Sequence, residues 1–222
     1  MLISVHLPKT AGLSFRATLE EHYGPDFASD YGDYPLAHSP RERHRMALQF
    51  AVDCFEREFG ATRCNHGHFL PLKYLPLADL GDCRFVTWMR EPVARLVSHY
   101  AYWQRSYDPD SALTSALHRR VVEEGWTLER FCLAPELRNI YSQFLWGFPL
   151  QRFDFVGLTE FYENDLRYFS TVYLGKNAEA RYVNQREDGR EGRLEAELPA
   201  PLRREIEAYH ASDVALYQQA VS

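Results

Sequence analysis

The chain has 222 residues, with 25 basic and 31 acidic side chains and a net charge of −6. That length suits a single domain able to bury about 70% of its unfolded surface. The acidic balance leaves no overall nucleic-acid footprint, and neither a signal-peptide pattern nor an apolar run of about 18 residues points to a membrane.

Residues Leu2 to Leu7 form an apolar run. It breaks at Pro8-Lys9-Thr10-Ala11-Gly12-Leu13-Ser14-Phe15 and then re-enters a helical pattern, which predicts a strand–loop–helix unit. Such a loop aims backbone N–H groups and a helix N-terminus at one spot, which suits a phosphate. Lys9 adds a point charge, Thr10 and Ser14 add hydroxyls, and Ala11, Gly12 and Leu13 add backbone donors. A Walker A loop puts its Lys after the last Gly. Here Lys9 precedes Gly12 and no Gly opens the loop, which disfavours ATP or GTP held in that geometry.

A helix over about 12–22 leads into 23–38, rich in Gly, Pro, Asp and Tyr. This stretch reads as a loop whose aromatic residues either pack on the surface or line an acceptor site. Ser39, Pro40 and Glu42 then spell an N-cap, a first-position Pro and a capping-box Glu for a helix running to Phe59 and stopped by Gly60. Arg41, Arg43, His44 and Arg45 in its first turns are either solvated or in touch with an acceptor. Cys64, His66 and His68 alternate, so in a strand all three share a face. Three readings stay open on spacing alone: a zinc site that lacks a fourth ligand, a catalytic pair, or hydrogen-bonded core histidines. A Pro- and Leu-rich connection with a Gly81-Asp82 turn follows.

Arg84 to Met89 reads as a buried strand ending at Arg90-Glu91-Pro92, with Val93, Leu96, Val97, Tyr100 and Ala101 forming one face of the next helix. Arg90 therefore sits at a strand's carboxyl end, where open α/β sheets bind ligands, and Ser98 lies two turns into the helix. This segment carries Arg84, Arg90, Arg95 and Arg105 against Glu91 alone, a local excess of positive charge inside an acidic chain. Helices are expected over 111–124, 127–133 and 138–146, a strand over 153–158, and a helix capped by Thr159 that runs to Leu174. Residues 182–193 read as a polar loop, or as a lid in which Arg186 would meet a cofactor. A last helix runs over about 201–220. Alternating strands and helices predict an α/β fold, a single P-loop-like domain over 1–222 with a central parallel sheet flanked by helices.

Pro8–Phe15 and Arg90–Tyr100 together carry a resemblance. The chain resembles the sulfotransferases that use 3′-phosphoadenosine 5′-phosphosulfate (PAPS), closest in look to the carbohydrate 2-O-sulfotransferase-like branch. That branch's 5′-phosphosulfate loop reads roughly P-K-T-[AG]-[GST]-T-S-[FL], matched except at Leu13. Its 3′-phosphate motif reads roughly R-D-P-[IV]-x-R-L-V-S-x-Y, matched except at Glu91. His66-Gly67-His68 matches its H-G-H stretch, with weaker echoes at 156–160 and at Asp213-x-x-Leu216-Tyr217. The resemblance implies PAPS as donor and a hydroxyl-bearing acceptor, a carbohydrate or a small metabolite. It also implies His68 as base with His66 orienting, Lys9 against the leaving phosphate, and Arg90 and Ser98 on the 3′-phosphate, with no metal. Histidine suits a base titrating near neutrality.

The rivals are a P-loop kinase using ATP, which the loop order disfavours, and a non-catalytic nucleotide-binding module. Cys54, Cys64, Cys83 and Cys132 form no C-x-x-C pair and read as free thiols of a reducing compartment. Relatives of the secretory pathway look membrane-anchored, whereas this chain reads as a cytoplasmic enzyme with neither nucleic acid nor membrane as partner.

Overall fold

A computed structural model describes all residues except 34, 55–58, 79–82, 113 and 177–189, with the backbone alone at 190 and 191. Five strands, β1 (Leu2–Val5), β2 (Phe27–Ser29), β3 (Cys64–Gly67), β4 (Arg84–Met89) and β5 (Phe155–Leu158), form one sheet in the order β2-β3-β1-β4-β5. Every pairing is parallel. The strand order reverses direction at β1, and in such sheets ligands bind beyond the carboxyl ends of the strands at that point. Val5 is in register with Gly67 on one side and Thr87 on the other, so the loops leaving β1, β3 and β4 share one edge.

Both faces of the sheet are covered, which is why β1 and β4 read as continuous apolar runs. On one face Leu2, Val86 and Trp88 pack with Phe15 and Leu19 of α1 (Gly12–Tyr23) and with Leu166 and Phe169 further along the chain. On the other, Ile3, Val5, Phe85 and Met89 meet Phe69, Tyr74 and Phe144. A third apolar cluster, around Val93, Leu96, Trp103, Phe131 and Ile206, joins the later helices beside the sheet.

The remaining helices are α2 (Pro40–Asp53), α3 (Leu75–Ala78), α4 (Pro92–Ser106), α5 (Ala116–Glu123), α6 (Leu128–Cys132), α7 (Ile140–Phe144), α8 (Tyr162–Tyr173), α9 (Arg190–Ala196), α10 (Ala200–Tyr209) and α11 (Ala211–Val221). The Ser39–Glu42 capping box forms as the sequence predicts. Five expectations change. Residues 27–29 in the expected loop form edge strand β2. Thr159 does not cap α8; its hydroxyl donates to the Met89 carbonyl at 2.9 Å and ties β5 to β4. The last helix breaks at His210 into α10 and α11, and the expected 182–193 loop is helical from Arg190 onward. α2 ends at Asp53 with Cys54 as its C-cap, short of the expected Phe59, which is described and not helical. The Gly81-Asp82 turn and Arg186 fall outside the described residues. Among the described residues no helix is long and apolar enough to cross a membrane.

Candidate active site

The loop between β1 and α1 has an unusual backbone. Lys9 (φ 68°) and Ala11 (φ 60°) both take left-handed conformations without being glycine. Each costs roughly 1–2 kcal/mol, and such strain persists where surrounding structure imposes it. Left-handed residues alternating with ordinary ones turn successive N–H groups toward one point, an anion-binding concavity. Ala11 begins α1 without any side-chain cap, and no acid lies in the first turn. By contrast α2 is capped by Ser39 and α4 by Glu91, whose carboxylate accepts from Val93 N at 3.0 Å and Ala94 N at 2.7 Å. The N-cap residue of α1 thus supplies no side-chain cap to its first turn. Lys9 reaches across to α4, its Nζ 4.0 Å from the Tyr102 ring centroid. Thr10 is fully buried and its hydroxyl donates to the Leu7 carbonyl at 2.9 Å, so the hydroxyl closes the loop and only its N–H can face a ligand.

Three histidine rings stand beside this loop. His6 leaves β1 on the α1 side, and its ring is stacked between His66, 5.1 Å away between centroids, and His68, at 4.2 Å. A Cβ at residue 12 would lie 1.8 Å from His6 Nε2, so only glycine lets α1 start against that ring. Tyr31 Oη lies 2.8 Å from His6 Nδ1 and ties that ring to the loop after β2. His68 Nδ1 bonds the His6 carbonyl. A carbonyl only accepts, so His68 is protonated at Nδ1 and carries its lone pair on Nε2. His66 Nδ1 pairs with Ser4 Oγ at 2.8 Å, while its Nε2 is buried without a partner among the described residues.

Burial sets the charge of all three. It holds His68 down to about 4, offset in part by the bond to the His6 carbonyl. It holds His66 at about 3, with His68 and Arg16 adding to the effect. His6 lies well below its usual value, again mainly by burial. The sequence expectation of a group titrating near neutrality is corrected: the imidazoles are neutral at pH 7 because they sit in low dielectric.

Two further expectations are corrected. His68 lies past the end of β3, so it does not share a strand face with His66 and Cys64. Cys64 packs in the core with Leu2 and Phe15, and among the described residues no group of His, Cys, Asp or Glu is arranged to hold a metal. A Cβ at Gly67 would lie 1.7 Å from the Asp30 carbonyl oxygen, because the chain leaving β2 crosses it.

At the end of β4, the Tyr141 hydroxyl accepts from Arg90 N at 3.0 Å and donates to the Arg90 carbonyl at 2.5 Å. The Arg90 side chain is half-buried, and Ser98 is buried in α4.

A known protein shares this outline. The crystal structure of a sulfotransferase from Alicyclobacillus acidocaldarius is similar, with TM-score 0.47 and 17% identity over 98% of this chain and 94% of that one. No protein-family model matches the chain, and no curated protein does. What the site can do is read from this chain's own residues.

Lys9, Gly12, His66 and His68 come together around His6. Ala11 and Gly12 start α1, Leu13 turns its side chain outward at 45% exposure, and Ser14 is buried in the first turn. Arg90 and Ser98 belong to the neighbouring β4–α4 unit. Reading the sequence missed His6, Tyr31 and Tyr141. For His6 the signal was present: Ser4 and His6 alternate along β1, so a histidine one residue past the strand had to face the helix that follows. The loop's left-handed backbone, Lys9 and the start of α1 fit an anion rich in acceptor oxygens, as a phosphosulfate is.

Proposed function

We propose that the chain is a sulfotransferase that moves a sulfuryl group from PAPS to a hydroxyl acceptor, a carbohydrate or a small metabolite. One observation carries this reading. A loop with two left-handed residues, carrying Lys9 into the start of α1, touches through His6 a neutral histidine whose Nε2 can take a proton.

Lys9 and the N–H groups of Thr10 to Ser14 would hold the phosphosulfate, and Arg90 with Ser98 the 3′-phosphate. When bound, PAPS supplies the sulfuryl group and the leaving phosphate of an in-line displacement. His68 takes the acceptor hydroxyl's proton at Nε2, and the His6 carbonyl keeps that nitrogen unprotonated beforehand by fixing the proton on Nδ1. Lys9 meets the charge that develops on the departing oxygen. Fixed donors of this kind are often the largest catalytic contribution.

The ATP kinase reading needs a carboxylate near the phosphates to hold magnesium. The acid that follows β4, Glu91, has both oxygens engaged in capping α4. The binding-module reading is separated by turnover. Wild type and His68→Ala, screened with radiolabelled PAPS against hydroxyl-bearing carbohydrates and metabolites, should differ: label transfer by the first and little by the second. Binding of the nucleotide with no transfer to any acceptor would favour the module, and phosphoryl transfer from ATP would favour the kinase.

A further inference from the structure

Arg95 is wholly buried on α4, and none of its three guanidinium nitrogens has a hydrogen-bond partner among the described residues. An ion held so is costly unless an opposite charge lies near. Its Cζ is 5.6 Å from the Tyr141 ring centroid. Burial raises the carboxyl of Asp213 above its usual value, and Arg95 opposes that shift only in part. Asp213 in turn caps α7. Its carboxylate accepts from Tyr141 N at 3.0 Å, Ser142 N at 3.0 Å and the Ser142 hydroxyl at 3.3 Å. The break at His210 locks the same junction. His210 Nδ1 accepts from Asn139 N at 3.1 Å, and its Nε2–H donates to the Cys132 carbonyl at 2.7 Å.

From this anchored helix start the Tyr141 side chain reaches β4. Its hydroxyl engages both the N–H and the carbonyl of Arg90. Two bonds to one residue's backbone fix the orientation of both peptide planes, and with them the direction in which its side chain departs.

We infer that Asp213 and Tyr141 are positioning residues: the Asp213 carboxyl group caps the start of α7, and from there the Tyr141 hydroxyl sets the backbone of Arg90. The inference rests on the proposed reading of Arg90 as the group that grips a 3′-phosphate. The C-terminal helix pair thereby becomes part of the nucleotide site without reaching it.

Tyr141→Phe keeps the ring against Arg95 and deletes only the hydroxyl. Calorimetry with 3′-phosphoadenosine 5′-phosphate (PAP) and with ADP separates the effects. PAP affinity should fall about three- to tenfold, the range for one lost hydrogen bond, with ADP affinity unchanged. Amide exchange at Arg90, read by NMR without ligand, should quicken. Asp213→Asn, which keeps only one of the two acceptor oxygens, should act in the same direction and serves if the Tyr141 variant folds poorly. Equal losses for PAP and ADP, or an unchanged PAP affinity, would overturn the inference. Should wild type itself not prefer PAP, the 3′-phosphate reading fails separately, and the exchange rate at Arg90 decides the positioning role alone: an unchanged rate sinks it.

Discussion

His68 donates its Nδ1 proton to the carbonyl oxygen of His6, whose ring stacks on the same imidazole at 4.2 Å. One residue therefore fixes both the tautomer of the proposed base and its orientation. A base must be neutral to accept a proton, so the rate falls as pH drops through its pKa. With burial holding His68 at about 4, the acidic limb of kcat/KM, which reports the free enzyme, should lie near pH 4. The limb of kcat should lie higher, because a bound anion favours the imidazolium. His68→Ala should lower turnover by about 10²–10⁴ and remove both limbs. A variant with wild-type turnover and intact nucleotide binding would return His68 to a packing role.

Lys9 sits at the turn of the loop with its charge over Tyr102. Charge develops on the leaving phosphate during transfer, so Lys9→Ala should depress kcat more than nucleotide affinity. The check is a comparison of kcat with the calorimetric Kd. An unchanged kcat with weaker binding alone would reduce Lys9 to a ground-state anchor.

Leu13 stands where the resembled motif has Thr, and its side chain is 45% exposed. On the proposed reading, backbone N–H groups and the buried Ser14 supply the donors there. Leu13→Thr should change PAP affinity less than threefold, about 0.65 kcal/mol at most. A hundredfold gain in calorimetry would mean that the loop is impaired as it stands.

Burial holds His66 at about 3 and His210 at about 4 in the folded chain, against 6.5 when exposed. On acidification the unfolded state takes up protons first. Stability should be complete above about pH 6.5 and be lost from there down to the folded values, at up to about 1.4 kcal/mol per pH unit for each group. Melting temperatures between pH 7.5 and 4.5 measure this. A flat profile would contradict the buried, neutral assignment, and His210→Gln should reduce the slope.

The central strands and the loop between β1 and α1 were legible because their signals are local. Apolar runs on both faces, a Pro-Lys-Thr-x-Gly break and a capping box are each fixed by neighbours in sequence. Non-local geometry was not legible. The demand for glycine at 67 comes from the Asp30 backbone, distant in sequence, which claims the space a side chain would fill. The break at His210 has no Pro or Gly to announce it; it follows from bonds to Cys132 and Asn139 on other elements. Edge strand β2 has three residues, too few for a period-2 pattern to register. The near-neutral base failed for the same reason, since the desolvation of His68 comes from packing against His6, Tyr31 and Phe144.

The most direct measurement is calorimetry of the wild-type chain with PAP and with ADP. A charge-assisted bond contributes about 1.5–3 kcal/mol, so gripping a 3′-phosphate should make PAP bind at least about tenfold more tightly than ADP. Arg90→Ala should erase most of that difference while leaving the melting temperature unchanged. Equal affinities for the two nucleotides in wild type would contradict the PAPS-dependent account.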